Sequence, residues 1–164
     1  MTRYHLAQIN IAELKAPLDS PELKDFVDNL DRINALGESS EGFVWRLKDE
    51  GNNATEILPF GENVIINMTV WRDVESLKRF TYQSAHTAIM KRRREWFTKM
   101  AQLHFVLWWI PRDHLPTVAE AAIKLEHLRK HGATAAAFTF GEAFSAPDAP
   151  QPGSPFSFLD TCPA

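Results

Sequence analysis

The stretch His86-Thr87-Ala88-Ile89-Met90-Lys91-Arg92-Arg93-Arg94-Glu95-Trp96-Phe97 sets one imidazole, a basic run and two aromatic rings on consecutive helical turns. At helical spacing His86, Met90, Arg93 and Phe97 share one face, with Ile89, Arg92 and Trp96 on an adjoining one. An imidazole titrates near neutrality, passes a proton in either direction and can ligate a metal or haem iron. His86 is therefore the candidate acid or base, set against the plainer role of a hydrogen-bonded structural histidine, since spacing assigns it no acidic partner. Arg93 suits an anionic substrate group, a haem propionate or a buried carboxylate, or else an ordinary ion pair with Glu95, Asp73 or Glu75. Tyr82 reaches His86 only across an unbroken helix, and His104 is a second candidate at the start of a strand. His5, His114, His127 and His131 suit the surface or a helix end. Helical geometry scatters Lys91 to Arg94 around the axis, so they form no stripe for nucleic acid.

A second group comes from strand alternation. From Val64 to Trp71, one face carries Val64, Ile66, Met68 and Val70, which suit a core under helices; the other carries Ile65, Asn67, Thr69 and Trp71. Gln8 and Asn10 of a first strand, and Phe43, Trp45 and Leu47 of a second, fall on similarly mixed faces. Amides, a hydroxyl and indoles on an otherwise apolar wall suit a small-molecule pocket, and Asn67, Thr69, Trp71, Tyr82, Arg93, Trp96 and Trp109 are its candidate binding residues. The competing reading is a filled barrel in which Gln8, Asn10 and Asn67 satisfy one another. Trp108 and Trp109 point to opposite faces of one strand, one to the core and one to the pocket, and alternation does not say which.

The elements that must position these groups are well signalled. Tyr4 to Ala12 reads as a strand, and a helix follows with Asp19 or Ser20 as cap, Pro21 at its start and Gly37 at its end. Gly42 to Lys48 reads as a second strand, Asp49 to Asn53 as a turn, a loop through Pro59 and Gly61 follows, and Val64 to Trp71 is the third strand. Asp73 caps a helical region whose apolar stripe loses phase at Gln83-Ser84, which predicts a break before His86. Leu103 to Ile110 is a fourth strand; Pro116 opens a helix with Val118, Ala122, Ile123, Leu125 and Leu128 inward as far as Gly132, and Ala135 to Phe140 is the last strand. This order predicts an α+β, ferredoxin-like sandwich with an added helix and strand, occupying residues 1–144, before a Pro-rich tail, 145–164, extended or disordered, with Phe156, Phe158 and Leu159 as the residues that could dock it. Helices on one face would leave the other bare, and a homodimer closing two sheets into a barrel would cover it.

The 164 residues, 45% apolar and 11% aromatic, suit one domain with a full core. A net charge of -3 gives no general reason to expect nucleic acid, and no apolar run approaches a membrane span. A single cysteine, Cys162, and no basic-then-apolar leader suit a reducing cytoplasm. There is no phosphate loop, nucleophile elbow or Cys/His pair at metal-ligand spacing, so no metal site is expected.

Asn67 to Trp71, Phe80 to His86, Arg93 to Phe97, Leu107 to Pro111 with Pro116-Thr117, and Gly132 to Thr134 with Ala137 to Phe140 together resemble the bacterial domain-of-unknown-function family 3291, over about residues 4–144. That resemblance implies a dimeric α/β barrel. It implies kinship with small monooxygenases of aromatic or polyketide substrates and with several haem-binding enzymes, but no particular reaction. The expected function is thus binding of a hydrophobic or aromatic molecule, with monooxygenase-like chemistry at His86. A haem-binding enzyme and a non-catalytic binding protein are the alternatives; the expected cofactor is none, or haem.

Overall fold

In a computed structural model that describes residues 2–49 and 60–150, four strands form one antiparallel sheet: β1 (Tyr4–Glu13), β2 (Phe43–Arg46), β3 (Val64–Trp71) and β4 (Phe105–Pro111). Its order, β2-β3-β1-β4, is that of a ferredoxin-like fold, which assigns the chain to the α+β class. β1 is central, pairing Leu6 to Glu13 with Trp71 to Val64 on one side and Tyr4 to Asn10 with Pro111 to Phe105 on the other. Its ten residues are long enough to tie every layer to one ladder.

Five helices surround the sheet: α1 (Lys24–Glu38), α2 (Val74–Gln83), α3 (His86–Lys91), α4 (Arg93–Trp96) and α5 (Val118–His131). Pro21 to Leu23 form a 3₁₀ turn leading into α1, and Gly37 lies within α1 beside the Phe80 ring rather than at its end. Asp73 caps α2 by accepting from the Ser76 amide at 2.7 Å, and Thr117 caps α5 by accepting from the Glu120 amide at 3.1 Å. Gly42 adopts φ +86°, and a β-carbon there would lie 2.2 Å from Ser76 Oγ, so only glycine lets β2 and α2 approach so closely.

The sheet has helices on both faces, and this corrects the premise of a bare face. α5 lies over Ala7, Ile9, Met68, Val106 and Trp108, packing Ala121, Leu125 and Leu128 into a sealed core, while Ile123, expected inward, is exposed. α1 to α4 lie over the opposite face. Expected as one helix, the segment from His86 breaks at Arg92, and its exit is sewn to the end of β1 by Thr98 N–H donating to Glu13 O and Lys15 N–H donating to Trp96 O. The expected final strand is reduced to isolated bridges: Phe138 meets the sheet at Leu107, the two exchanging both backbone hydrogen bonds, and Ala137 and Thr139 bridge locally to Thr134 and Glu142. Further on, Ala146 is buried and Asp148 accepts from the Arg3 amide at 2.7 Å. The turn read at 49–53 beyond Asp49, the loop at Pro59, and Phe156, Phe158, Leu159 and Cys162 lie outside the described residues.

Candidate functional site

A cavity of about 410 Å³ lies between the sheet and helices α1 to α3, a volume in the range of small-molecule sites. β1 and β3 supply its floor through Gln8, Asn10, Ile65, Asn67, Thr69 and Trp71. α1 contributes Phe26, Leu30 and Ile33, and α2 contributes Leu77 and Phe80. His86, Met90, Arg93 and Phe97 all border it, so the stripe read from the sequence survives the break at Arg92. Alternation explains the floor: the same strands send every second residue to the sealed side.

The floor is polar by design of its hydrogen bonds. Gln8 Nε2 donates to Asn67 Oδ1 at 2.7 Å and to Thr69 Oγ1 at 2.8 Å, and Trp71 Nε1 donates to Thr69 Oγ1 at 2.8 Å. With both lone pairs of its hydroxyl taken by N–H donors, Thr69 has only its own proton left to offer. The carbonyl of the Asn67 side chain accepts one of these bonds, and its NH₂ is a donor on the wall. Gln8 Oε1 is buried with no partner among the described residues, an acceptor whose desolvation is uncompensated.

His86 is placed by a local device. Ser84 Oγ donates to the Phe80 carbonyl and accepts the His86 amide at 3.1 Å, which stops α2 and starts α3 in a new direction. The imidazole then packs on Phe80, centroids 4.8 Å apart and 30° between planes, and Phe80 stacks on Trp71 at 5.1 Å and 27°. Its Nδ1 faces the Thr81 carbonyl at 3.5 Å, an orientation that puts the proton on Nδ1 and leaves Nε2 as the basic nitrogen. Burial pushes the imidazole below its ordinary value of 6.5, with the Thr81 carbonyl pulling weakly the other way. A neutral ring whose Nε2 has no partner among the described residues is the state a general base needs.

At the cavity mouth Arg93 Nη2 lies 3.1 Å from His104 Nε2. A guanidinium only donates, so His104 Nε2 accepts and its proton sits on Nδ1, toward the Gln102 carbonyl. Burial and the adjacent Arg93 charge hold His104 below the usual histidine range. Arg93 pairs with none of Glu95, Asp73 or Glu75; it is Arg92 that takes Glu95 and Asp25 and lies over the Trp96 ring.

Asn67, Thr69, Trp71, Tyr82, His86 and Arg93 thus share one wall, Tyr82 at its rim with its ring against Phe140. Trp96 and Trp109 do not line it. Trp96 is buried with Leu14, Leu23 and Phe26, because the helix restarts at Arg93 and turns the indole under α1. Trp109 is on the cavity side of β4 but is capped by Phe138, with Nε1 donating to the Phe144 carbonyl, while Trp108 joins the sealed core. Arg46 and Phe80 enter the wall beyond the candidates above, and His104, the second candidate histidine, joins them; Arg46 falls on it because a bulge between Phe43 and Trp45 changes the phase of β2. For haem, His86 is the wall imidazole with a nitrogen that has no partner among the described residues, since both nitrogens of His104 are engaged. Among the described residues no three His, Cys, Asp or Glu side chains gather as metal ligands would, and no helix is long and apolar enough to cross a membrane.

A family described as Domain of unknown function (DUF3291) matches residues 5–154. Solved structures similar to the chain include a protein of unknown function from Nitrosomonas europaea, at 12% identity and TM-score 0.46, covering 70% of this chain and 95% of that one. Another is SnoaB, a cofactor-independent oxygenase from Streptomyces nogalater, at 18% identity and TM-score 0.45, covering 69% and 98%. No curated protein matches the chain.

Proposed function

The chain belongs to the DUF3291 family, and on that footing we propose that it binds a hydrophobic or aromatic molecule in the cavity under α1 to α3 and oxidises it in a monooxygenase-like reaction with His86 as the base. The observation that supports this reading is the neutral His86 imidazole, stacked through Phe80 on Trp71 and sharing a wall with the donors of Asn67 and Thr69. In a cavity that is mostly apolar, His86 Nε2 removes an acidic C–H proton from an electron-rich ring system. The Asn67 NH₂ and Thr69 hydroxyl donate to the oxyanion that results. Dioxygen is the co-reactant: the carbanion gives up an electron to it, the two recombine to a hydroperoxide, and loss of water leaves a carbonyl where a CH₂ stood. The chain supplies positions and a proton acceptor, and the substrate supplies the electrons.

Homodimerisation belongs to the same proposal. With both sheet faces covered, its contact would draw on exposed apolar residues such as Leu115 and Ile123 beside and on α5.

Oxygen uptake with anthrone as substrate tests the reaction. The wild-type protein should consume oxygen and yield the quinone, and His86→Ala should lose at least about a hundredfold in rate, the usual scale of a general base. Equal rates in the two proteins would reject His86 as the base, and binding without turnover would favour a ligand-sequestering role.

A further inference from the structure

Among the described residues the wall of the cavity carries two arginines and two histidines, and no aspartate or glutamate. A cavity with cations and no carboxylate attracts negative charge, most strongly where a cation lacks its own counter-ion. The two arginines differ in this respect. Arg46 is buried and donates to Glu38 Oε1 at 2.6 Å, so its charge is answered within the fold. Arg93 pairs with no carboxylate among the described residues; its guanidinium meets the neutral His104 ring instead. The nearest stretches of sequence are not short of acid, since Glu95 and Asp25 are both taken up by Arg92.

We propose that the ligand of this cavity is an apolar organic acid whose carboxylate is bound by Arg93, with His104 as the positioning residue that aims the guanidinium. This rests on the cavity being the binding site and adds the chemical class of what enters it. The geometry carries the assignment to each residue. His104 Nε2 occupies one N–H of the Arg93 fork at 3.1 Å, and the remaining donors of a planar guanidinium can meet a carboxylate side-on. The peptide amide of Ile11, in turn, donates to the His104 carbonyl at 2.9 Å, so the acceptor that aims Arg93 is anchored to the central strand. The apolar body of the acid lies deeper, over Phe26, Leu30 and Ile89, where no charged group could be accommodated without loss.

Calorimetric titration with 2-naphthoate and its neutral isostere 2-naphthamide separates the acid from the ring. Naphthoate should bind about tenfold or more tighter than the amide, the scale of a charge-assisted hydrogen bond. Arg93→Gln should abolish that ratio, and the exposed side chain permits the change without unfolding. His104→Leu should reduce the ratio, and His104→Gln, which keeps a neutral acceptor, should restore it; a merely structural histidine would move both probes together. Naphthamide binding as tightly as naphthoate, or a ratio that persists in Arg93→Gln, overturns the organic-acid proposal while the cavity still binds. Failure of both probes to bind overturns the cavity reading with it.

Discussion

The two faces of one sheet, built from the same strands, have opposite characters. On the α5 side Ala7, Ile9, Met68, Val106 and Trp108 close against Ala121, Leu125 and Leu128 without a polar side chain among the buried set, apart from the Trp108 indole, which donates to Glu120 at 2.8 Å. On the other side Gln8, Asn67 and Thr69, their immediate neighbours in β1 and β3, line a hollow. Side-chain period two lets one strand serve both ends at no cost in register. The sealed face holds the fold together, and the hollow face is free to carry groups that stability alone would not select.

The contrast is broken most severely from the sealed side. Leu125→Ala empties a fully buried position and should cost about 2–5 kcal/mol in chemical denaturation, with ligand affinity of the folded fraction unchanged. Gly42→Ala comes next: its positive φ and the contact with Ser76 Oγ predict a loss of about 1–3 kcal/mol and a shifted α2, so binding should weaken along with stability. Substitution on the hollow side should reverse the pattern, with His86→Ala costing under about 1 kcal/mol and abolishing turnover.

The same histidine leaves a signature in pH. Its folded value lies below the ordinary 6.5, so the unfolded chain binds the proton first and stability falls as pH drops through the window between 6.5 and the depressed value. His104 shifts in the same direction and adds to the slope. Melting of His86→Gln between pH 7.5 and pH 5 should therefore show a shallower decline than the wild type; an unchanged slope would place His86 in contact with water. The smallest effect should come from neither face: Arg92→Ala removes ion pairs with Asp25 and Glu95 that are open to solvent, and should cost no more than about 1 kcal/mol.

Much of the hollow was legible in the chain itself. Val64 to Trp71 forms β3 with the bounds that its alternation predicts, and the lost phase at Gln83-Ser84 marks the turn that aims His86. What periodicity does not encode is which face a later helix crosses to. The path from Pro111 through Pro116 carries α5 over the side expected to be bare, so the cavity lies within one chain rather than between two. Trp96 and Trp109 stand off the cavity for a related reason: the first depends on where α3 stops, the second on Phe138, a residue 29 positions on whose bridge to Leu107 is tertiary. Arg46 carries no local signal, because its place follows from the bulge in β2, whereas His104 is legible as a histidine at the start of β4 but its pairing with Arg93 is not.

The central claim is that ligand enters the hollow face of a single chain, and amide and imidazole resonances followed by NMR during an anthrone titration test it most directly. The account predicts saturable shifts at the side-chain amides of Gln8 and Asn67 and at the His86 ring, with Ala121, Leu125 and Leu128 silent. Shifts gathered on α5, or none at the hollow face at saturation, would contradict it.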